Sequence, residues 1–577
     1  IGIYATLAGL TLSAYSAFAQ ERDRSPAQRS VRGRDDRTEA PAPPPQGQQR
    51  EGQQDTAASY PDEVRSIDGT ANNLVNPLWG SAGVEFLRLT TVGYTDGSSA
   101  PSGDERLNAR EISNACAAYD GDAPNTVNAS DFLWQWGQFL DHDVAETPVA
   151  DPAEWFDIEV PAGDPDFDPL NTGEVTIPLD RSHYNIVNGV RQQVNVITAF
   201  IDASNVYGSD EERALELRTL DSTGRLKTSE ADLLPFNENG LENAPTTDAS
   251  FFLAGDIRAN EQVGLTAMHT LFVREHNYWA DRMLEVTPQL NGDELYEVAR
   301  AIVAAEMQLI TYNEFLPLLL GRNGLRPYRG YRDDVNPGLG NAFATAAYRV
   351  GHTMLSSELL RLEADGSPIV DGSIALADAF FNPDEIINHG IEPYLRGMAA
   401  QGCQNVDSYV VDDVRNFLFG APGAAGFDLV SLNIQRGRDH GLPGYNQVRR
   451  DYGLSPAQSF ADMSSDPEVQ ANLTAVYDSP DEVDLWVGGL AEDHLPRALV
   501  GQTFARILGD QFERLRDGDR FWYEAYLPRF LLDIVERQTL AAIIRRNTTI
   551  GNELQDDVSR VATEGGDEGA YPPSPAP

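Results

Sequence analysis

Cysteine is nearly absent from this chain: 577 residues include two, Cys116 and Cys403. Neither sits in a CxxC or other metal-type spacing, so cysteine chemistry does not organise the function. A domain of this length does not need a bridge for stability, and the sequence leaves open whether the two thiols pair. Positive charge is also scarce. Lys and Arg number 43 against 89 Asp and Glu, a formal net charge of −46. Neutralising phosphates needs the opposite excess, so a nucleic-acid partner is ruled against. After the first 19 residues no apolar run is long enough to cross a bilayer. The HExxH zinc motif and any fixed-period repeat are missing as well.

What is present describes a folded, highly soluble protein: 41 % hydrophobic and 9 % aromatic residues, with a pI near 4.3. Residues 1–19 are apolar and small and end in Ala17-Phe18-Ala19, the A-x-A form of a signal-peptidase site. With no initial Met and no basic n-region, this segment reads as a signal peptide truncated at its start, and the protein as secreted or periplasmic. Residues 20–64 are rich in Arg, Gln and Pro and read as a disordered linker. Residues 552–577, acidic and then rich in Gly and Pro, read as a disordered tail. Between them, 65–551 form a single large domain, mostly α with few short strands. The apolar periodicity predicts helices from Ser130, as cap, through His142, and over 261–283, 293–315 and 533–546. Gln193-Val-Asn-Val-Ile predicts a strand.

The chemistry concentrates in four segments. In Trp136-Gly-Gln138-Phe-Leu-Asp141-His142-Asp143, Gln138 and His142 are one helical turn apart, and Asp141 shares their side. A second histidine, His352, lies 210 positions downstream in Tyr348-Arg349-Val-Gly-His352-Thr. Arg258 and Glu261 stand three apart in Arg258-Ala-Asn-Glu261-Gln262, close enough to share a cavity. Ser431-Leu-Asn433-Ile-Gln-Arg436-Gly-Arg438-Asp439-His440 packs more polar function into ten residues than a core tolerates without partners. Taken singly, His142 and His352 would read as structural histidines. His269 and His276, seven apart on one helix, lack a third ligand and read as packing residues. His183, His389 and His494 carry no motif.

Taken together, WGQFLDHD, TAFIDASNVYGS, GDIRANE, LTAMHTLFVREHN, YRVGHT and LNIQRGRDHGLPGYN resemble, in order, the animal-type haem peroxidases of the peroxidase–cyclooxygenase superfamily. The resemblance covers roughly residues 65–550 and implies haem b as cofactor. It makes His142 the distal acid–base, Arg258 the distal cation, Gln138 the residue that holds a water or halide, and His352 the iron ligand. Asn433 would accept the other ring N–H of His352, and Arg436 would meet a haem propionate. Asp141 and Glu261 match the pair that esterifies haem methyl groups. Gln262 stands where one mammalian member has a vinyl-bonded methionine, so that third bond cannot form.

A metal loop is also readable. Thr198-Ala-Phe200-Ile-Asp202-Ala-Ser204 places oxygen donors at alternate residues, Phe200 through its carbonyl, and Asp143 closes an all-oxygen set suited to calcium. The implied activity is oxidation of halides, thiocyanate or aromatic donors by hydrogen peroxide through a ferryl porphyrin radical. Two other readings stand beside it. A fatty-acid dioxygenase of the same superfamily needs a tyrosine three residues before the proximal histidine, where this chain has Arg349. A secreted adhesion or matrix module with a peroxidase fold would have no use for the intact polar set. The low cysteine content points to a bacterial, exported relative. Oligomeric state is not legible.

Overall fold

The computed structural model describes residues 63–119, 121–422 and 426–562. The expected signal peptide and nearly all of the expected linker lie outside the described residues. The architecture is mostly helical with a few short strands, as expected. Six principal helices frame it: α1 (Phe132–Val144), α2 (Val263–Val286), α3 (Gly292–Ile310), α4 (Leu429–Asp439), α5 (Gln502–Asp517) and α6 (Leu540–Asn547). Among the described residues, one sheet of three strands runs Val84–Glu85, Val190–Asn195, Tyr184–Val187, all antiparallel. One contiguous apolar core extends from Phe86 to Val558.

Helix α1 is held by its aromatic face. Phe139 and Trp136 meet Phe272 of α2 at ring separations of 5.0 and 5.8 Å, and the buried Trp136 indole donates to Thr311 Oγ1 at 3.2 Å. Burying that face leaves Gln138 and Asp141 on the open side. α2 starts at Val263 rather than Glu261 because the Gln262 side chain accepts from Gly264 N and caps it. α3 carries a full capping box, Asn291 with Glu294. Its last turn widens into a π-turn over Thr311–Phe315, which re-aims the residues expected to continue the helix.

Other boundaries differ from expectation. Ser130 does not cap α1: its hydroxyl donates to Val558 O, and Asp131 precedes the helix without a side-chain cap bond. The helix expected over 533–546 is two, Arg529–Val535 and α6, because Thr539 caps a new start by accepting from Ala542 N. The expected tail begins inside the domain. Val561 N donates to Asn128 O and Arg560 bridges Ala129, so residues 552–562 pack against the chain entering α1. At the other end Glu63, placed in the linker, pairs with Arg520. Arg546 of α6 bonds Glu275 in α2 and lies 3.4 Å from Glu306 in α3, locking the three helices together. Cys116 and Cys403 are free and buried, and burial pushes the Cys116 thiol up to about 12.

Candidate active site

The site assembles where α1 meets the segment entering α2. His142 is buried, with Asp256 Oδ1 at 3.4 Å from Nδ1 and Glu261 Oε2 at 3.6 Å from Nε2. Asp256 grips Arg258 with both oxygens, Nε to Oδ1 at 2.9 Å and a terminal nitrogen to Oδ2 at 2.7 Å, and also accepts the Arg258 backbone N–H at 2.8 Å. Arg258 donates further to Ala145 O at 3.0 Å and lies 3.7 Å from Asp141. Gln138 donates to Glu261 at 3.1 Å and accepts from Gln262 at 3.1 Å. The expected residues Gln138, Asp141, His142, Arg258 and Glu261 are therefore in one place.

Their electrostatics follow from depth. Burial, then the Arg258 charge, holds His142 well below 6.5, so its ring is neutral at neutral pH. Burial alone would raise Asp256, but the charges of Arg258 and His142 outweigh it and hold the carboxyl well below the usual carboxylate range. Burial pushes Glu261 up to about 7 and raises Asp141, in each case against Arg258. Yet Asp141 keeps 37 % of its side chain accessible, Glu261 26 % and Arg258 18 %. Groups this deep and this accessible line a cleft inside the protein rather than an outer surface.

His352 comes from a 3-10 segment, Ala347–Thr353, and is partly accessible. Burial, then the Arg349 charge, lowers it to about 3. Its Nδ1 meets Asn433 of α4 at 2.8 Å, the expected partner with an unexpected polarity. The Asn433 amide nitrogen faces the ring, because its oxygen accepts from Arg349 at 3.0 Å. Turning that amide by half a revolution restores the expected acceptor, since its two ends are nearly the same size. Arg349 feels the charges of Asp141, Arg436 and Arg258, which joins the His352 half to the His142 half. Arg436 is braced through one nitrogen by Asp180 O, Ser182 and Asp439 at 2.9–3.0 Å.

The loop from Thr198 to Ser204 wraps the end of α1. Asp202 N donates to Asp143 at 3.1 Å, Ser204 Oγ donates to Asp143 O at 2.7 Å, and Thr198 Oγ1 donates to Asp202 at 3.0 Å. Phe200 is buried beneath Arg65, 5.0 Å from its ring. Burial, then repulsion from Asp202, raises Asp143, and burial raises Asp202. Asp202 Oδ2 is buried without a hydrogen bond, 3.9 Å from Arg65 Nε. Two adjoining buried carboxylates with a spare oxygen fit a cation. The loop also reaches the site. Asp256 N donates to Asn205 O at 3.1 Å, and a Cβ on Gly255 would meet Ser204 O at 2.4 Å, so no larger residue can precede Asp256.

Sequence reasoning missed Asp256, although it lies inside GDIRANE. A carboxylate two residues before a functional arginine was the available signal. His269, read as a packing residue, is buried against Phe139 at 5.0 Å, with its ring 6.5 Å from that of His142.

The family model described as animal haem peroxidase matches residues 64–559, and the chain belongs to that family. It is 37 % identical to peroxidasin of Drosophila melanogaster over 81 % of this chain and 34 % of the relative. Across the peroxidasins of fly, nematode and mouse the chain spans 34–42 % of the relatives' length. Among solved structures, Peroxidase A from Dictyostelium discoideum superposes with a TM-score of 0.81 at 35 % identity, covering 86 % of this chain and all of that one. The fatty acid alpha-dioxygenase of Oryza sativa, at 23 % identity, a TM-score of 0.71 and 84 % of each chain, shares the fold.

Proposed function

We propose that this chain is a haem-dependent peroxidase that uses hydrogen peroxide to oxidise halides, thiocyanate or aromatic donors. The observation that carries the reading is the Asp256-held pair of His142 and Arg258 in an accessible internal cleft. A structural core has no use for a buried neutral imidazole set beside a guanidinium and the partly accessible carboxyls of Asp141 and Glu261. The residues fit haem: His352 would ligate the iron through Nε2, with Asn433 turned to accept from Nδ1. Arg349 and Arg436 would meet the propionates, and Asp141 and Glu261 would form the ester bonds. Bound haem would supply the redox chemistry.

The protein's own part is proton and charge handling. Asp256 faces Nδ1, so the Nδ1–H tautomer leaves the Nε2 lone pair free as a base. Nε2 would take the proton from one peroxide oxygen and deliver it to the other, which departs as water, while bound haem would supply the two electrons for O–O cleavage and hold the oxygen left behind. Arg258 stabilises the negative charge that develops between those oxygens, and Gln138 holds water or halide beside it. Arg349 in place of a tyrosine before His352 favours this reading over a dioxygenase. The A-x-A pattern at Ala17-Phe18-Ala19 supports export, and the low cysteine content supports a bacterial relative. Among the described residues no helix is long and apolar enough to cross a membrane.

The purified holoprotein should show a Soret band that His352→Ala loses, and should oxidise iodide with peroxide. Acid–acetone extraction should leave haem on the polypeptide, and haem released in full would remove the ester assignment to Asp141 and Glu261. For the loop, we assign calcium to Asp143, Thr198, the Phe200 carbonyl, Asp202 and Ser204. Chelation should lower the thermal midpoint and added calcium restore it. At calcium about 100-fold above Kd the stabilisation is about 2.7 kcal/mol. An Asp202→Asn variant that keeps the full calcium response would end that assignment.

A further inference from the structure

A file of aromatic rings leaves the site and reaches the surface. Tyr348, four residues before His352, is buried, and its hydroxyl donates to Gly137 O in α1 at 3.3 Å. Its ring stacks on Phe343 at 4.8 Å and meets Phe512 of α5 edge-on at 5.7 Å. Phe512 meets Tyr312 at 6.2 Å, and Tyr312 meets Trp522 at 4.8 Å. Trp522, 2 % exposed, adjoins two partly exposed rings, Tyr523 at 4.9 Å and Tyr328 at 5.8 Å. No gap in the file exceeds the range of direct ring contact.

Apolar packing alone does not account for the residue types. Phenylalanine would fill the positions of Tyr348 and Tyr312 without a buried hydroxyl. Here both hydroxyls need main-chain acceptors, Gly137 O and, at 2.5 Å, Phe512 O. The oxidisable rings (Tyr, Trp) are spaced along the file with a phenylalanine between them. The outer end is built to receive a proton and to stabilise a positive ring. Trp522 Nε1 donates to the Glu524 carboxylate at 3.2 Å, and that carboxylate is exposed. Glu524 and Glu536 place negative charge beside Tyr523. Tyr523 also lines a surface pocket with Phe521, Tyr526, Leu527 and Arg300, a place for a donor group to settle.

We infer that Tyr348, Tyr312, Trp522 and Tyr523 form an electron relay that lets this protein oxidise phenolic groups on donors too large to enter the cleft. The inference rests on the haem-peroxidase reading. Reducing one peroxide to two waters takes two electrons and two protons. Trp522 gives one electron inward through Tyr312 while its N–H proton passes to Glu524. A surface phenol then returns an electron and a proton and leaves as a phenoxyl radical, so two phenols are consumed per peroxide.

The test uses the holoprotein and two forms of one donor, free tyramine and tyramine coupled to a large dextran. Wild type should oxidise both. Trp522→Phe, which keeps the packing but not the oxidisable indole, should lose about tenfold or more on the dextran form while keeping its rates on free tyramine and iodide. Peroxide with a nitroso spin trap should leave adducts on Trp522 or Tyr523, located by peptide mass spectrometry, and Tyr312→Phe should abolish them. A Trp522→Phe protein that oxidises the dextran form at the wild-type rate would overturn the relay. So would adducts that persist unchanged in Tyr312→Phe. A wild type that turns over neither iodide nor free tyramine would instead sink the peroxidase reading beneath it.

Discussion

His142→Ala is expected to slow the reaction with hydrogen peroxide by about 10²–10⁴-fold, the range that a positioned acid–base group contributes. The haem spectrum should survive, because His142 is not the group placed to ligate iron. The pH profile carries a second expectation. A base works when unprotonated, and burial with the Arg258 charge holds His142 well below 6.5. The ring is then still neutral where an ordinary histidine is half protonated. With Glu261, otherwise pushed up to about 7 beside it, tied up as a haem ester, the wild-type peroxide rate should therefore stay level as pH falls from 8 through 6.5. A decline centred on 6.5 would mean that the imidazole is not desolvated as described. A near-normal peroxide rate in His142→Ala would remove its role.

Asp256→Asn is expected to be the most damaging conservative change in the site. Asp256 is buried and accepts three hydrogen bonds from Arg258 while facing His142 Nδ1. The amide keeps the shape but removes the charge that pairs with Arg258, leaving a guanidinium unneutralised inside the protein. Breaking such a pair from one side costs about 3–5 kcal/mol, measurable as a lower urea midpoint. The sign of its pH dependence is fixed by the direction of the shift. A carboxyl held below its unfolded value stabilises at every pH above that unfolded value, and loses its effect only as pH falls toward the folded one. The deficit of Asp256→Asn should thus be constant between pH 8 and 5. A deficit that vanishes at pH 5 would contradict the assigned ion pair. Peroxide cleavage should fall as well, because the variant both loosens Arg258 and frees the His142 tautomer.

Much of the site was legible in the sequence because its parts are local. Gln138, Asp141 and His142 share a helix side by spacing alone, and Arg258 and Glu261 sit within one turn's reach. The mostly helical class followed from apolar periodicity, and the family from six ordered motifs that its matched span, 64–559, contains. Termini and caps were less legible. Ser130 has the composition of a cap, but packing against residues 558–561 offered its hydroxyl a better acceptor in Val558 O. The helix expected over 533–546 breaks because Thr539 can cap a new start, a choice that apolar spacing does not register.

By itself, then, the sequence determined which polar side chains share a helical face and most of those that gather at the candidate site, since such patterns depend on residues a few positions apart. Tertiary structure alone decided that Asp256 faces His142, that Arg349 competes for Asn433, and that aromatic rings from four separate segments align in one file. Those contacts join elements tens to hundreds of residues apart. Their distances are set by how the helices pack around one core, and no local pattern encodes that packing.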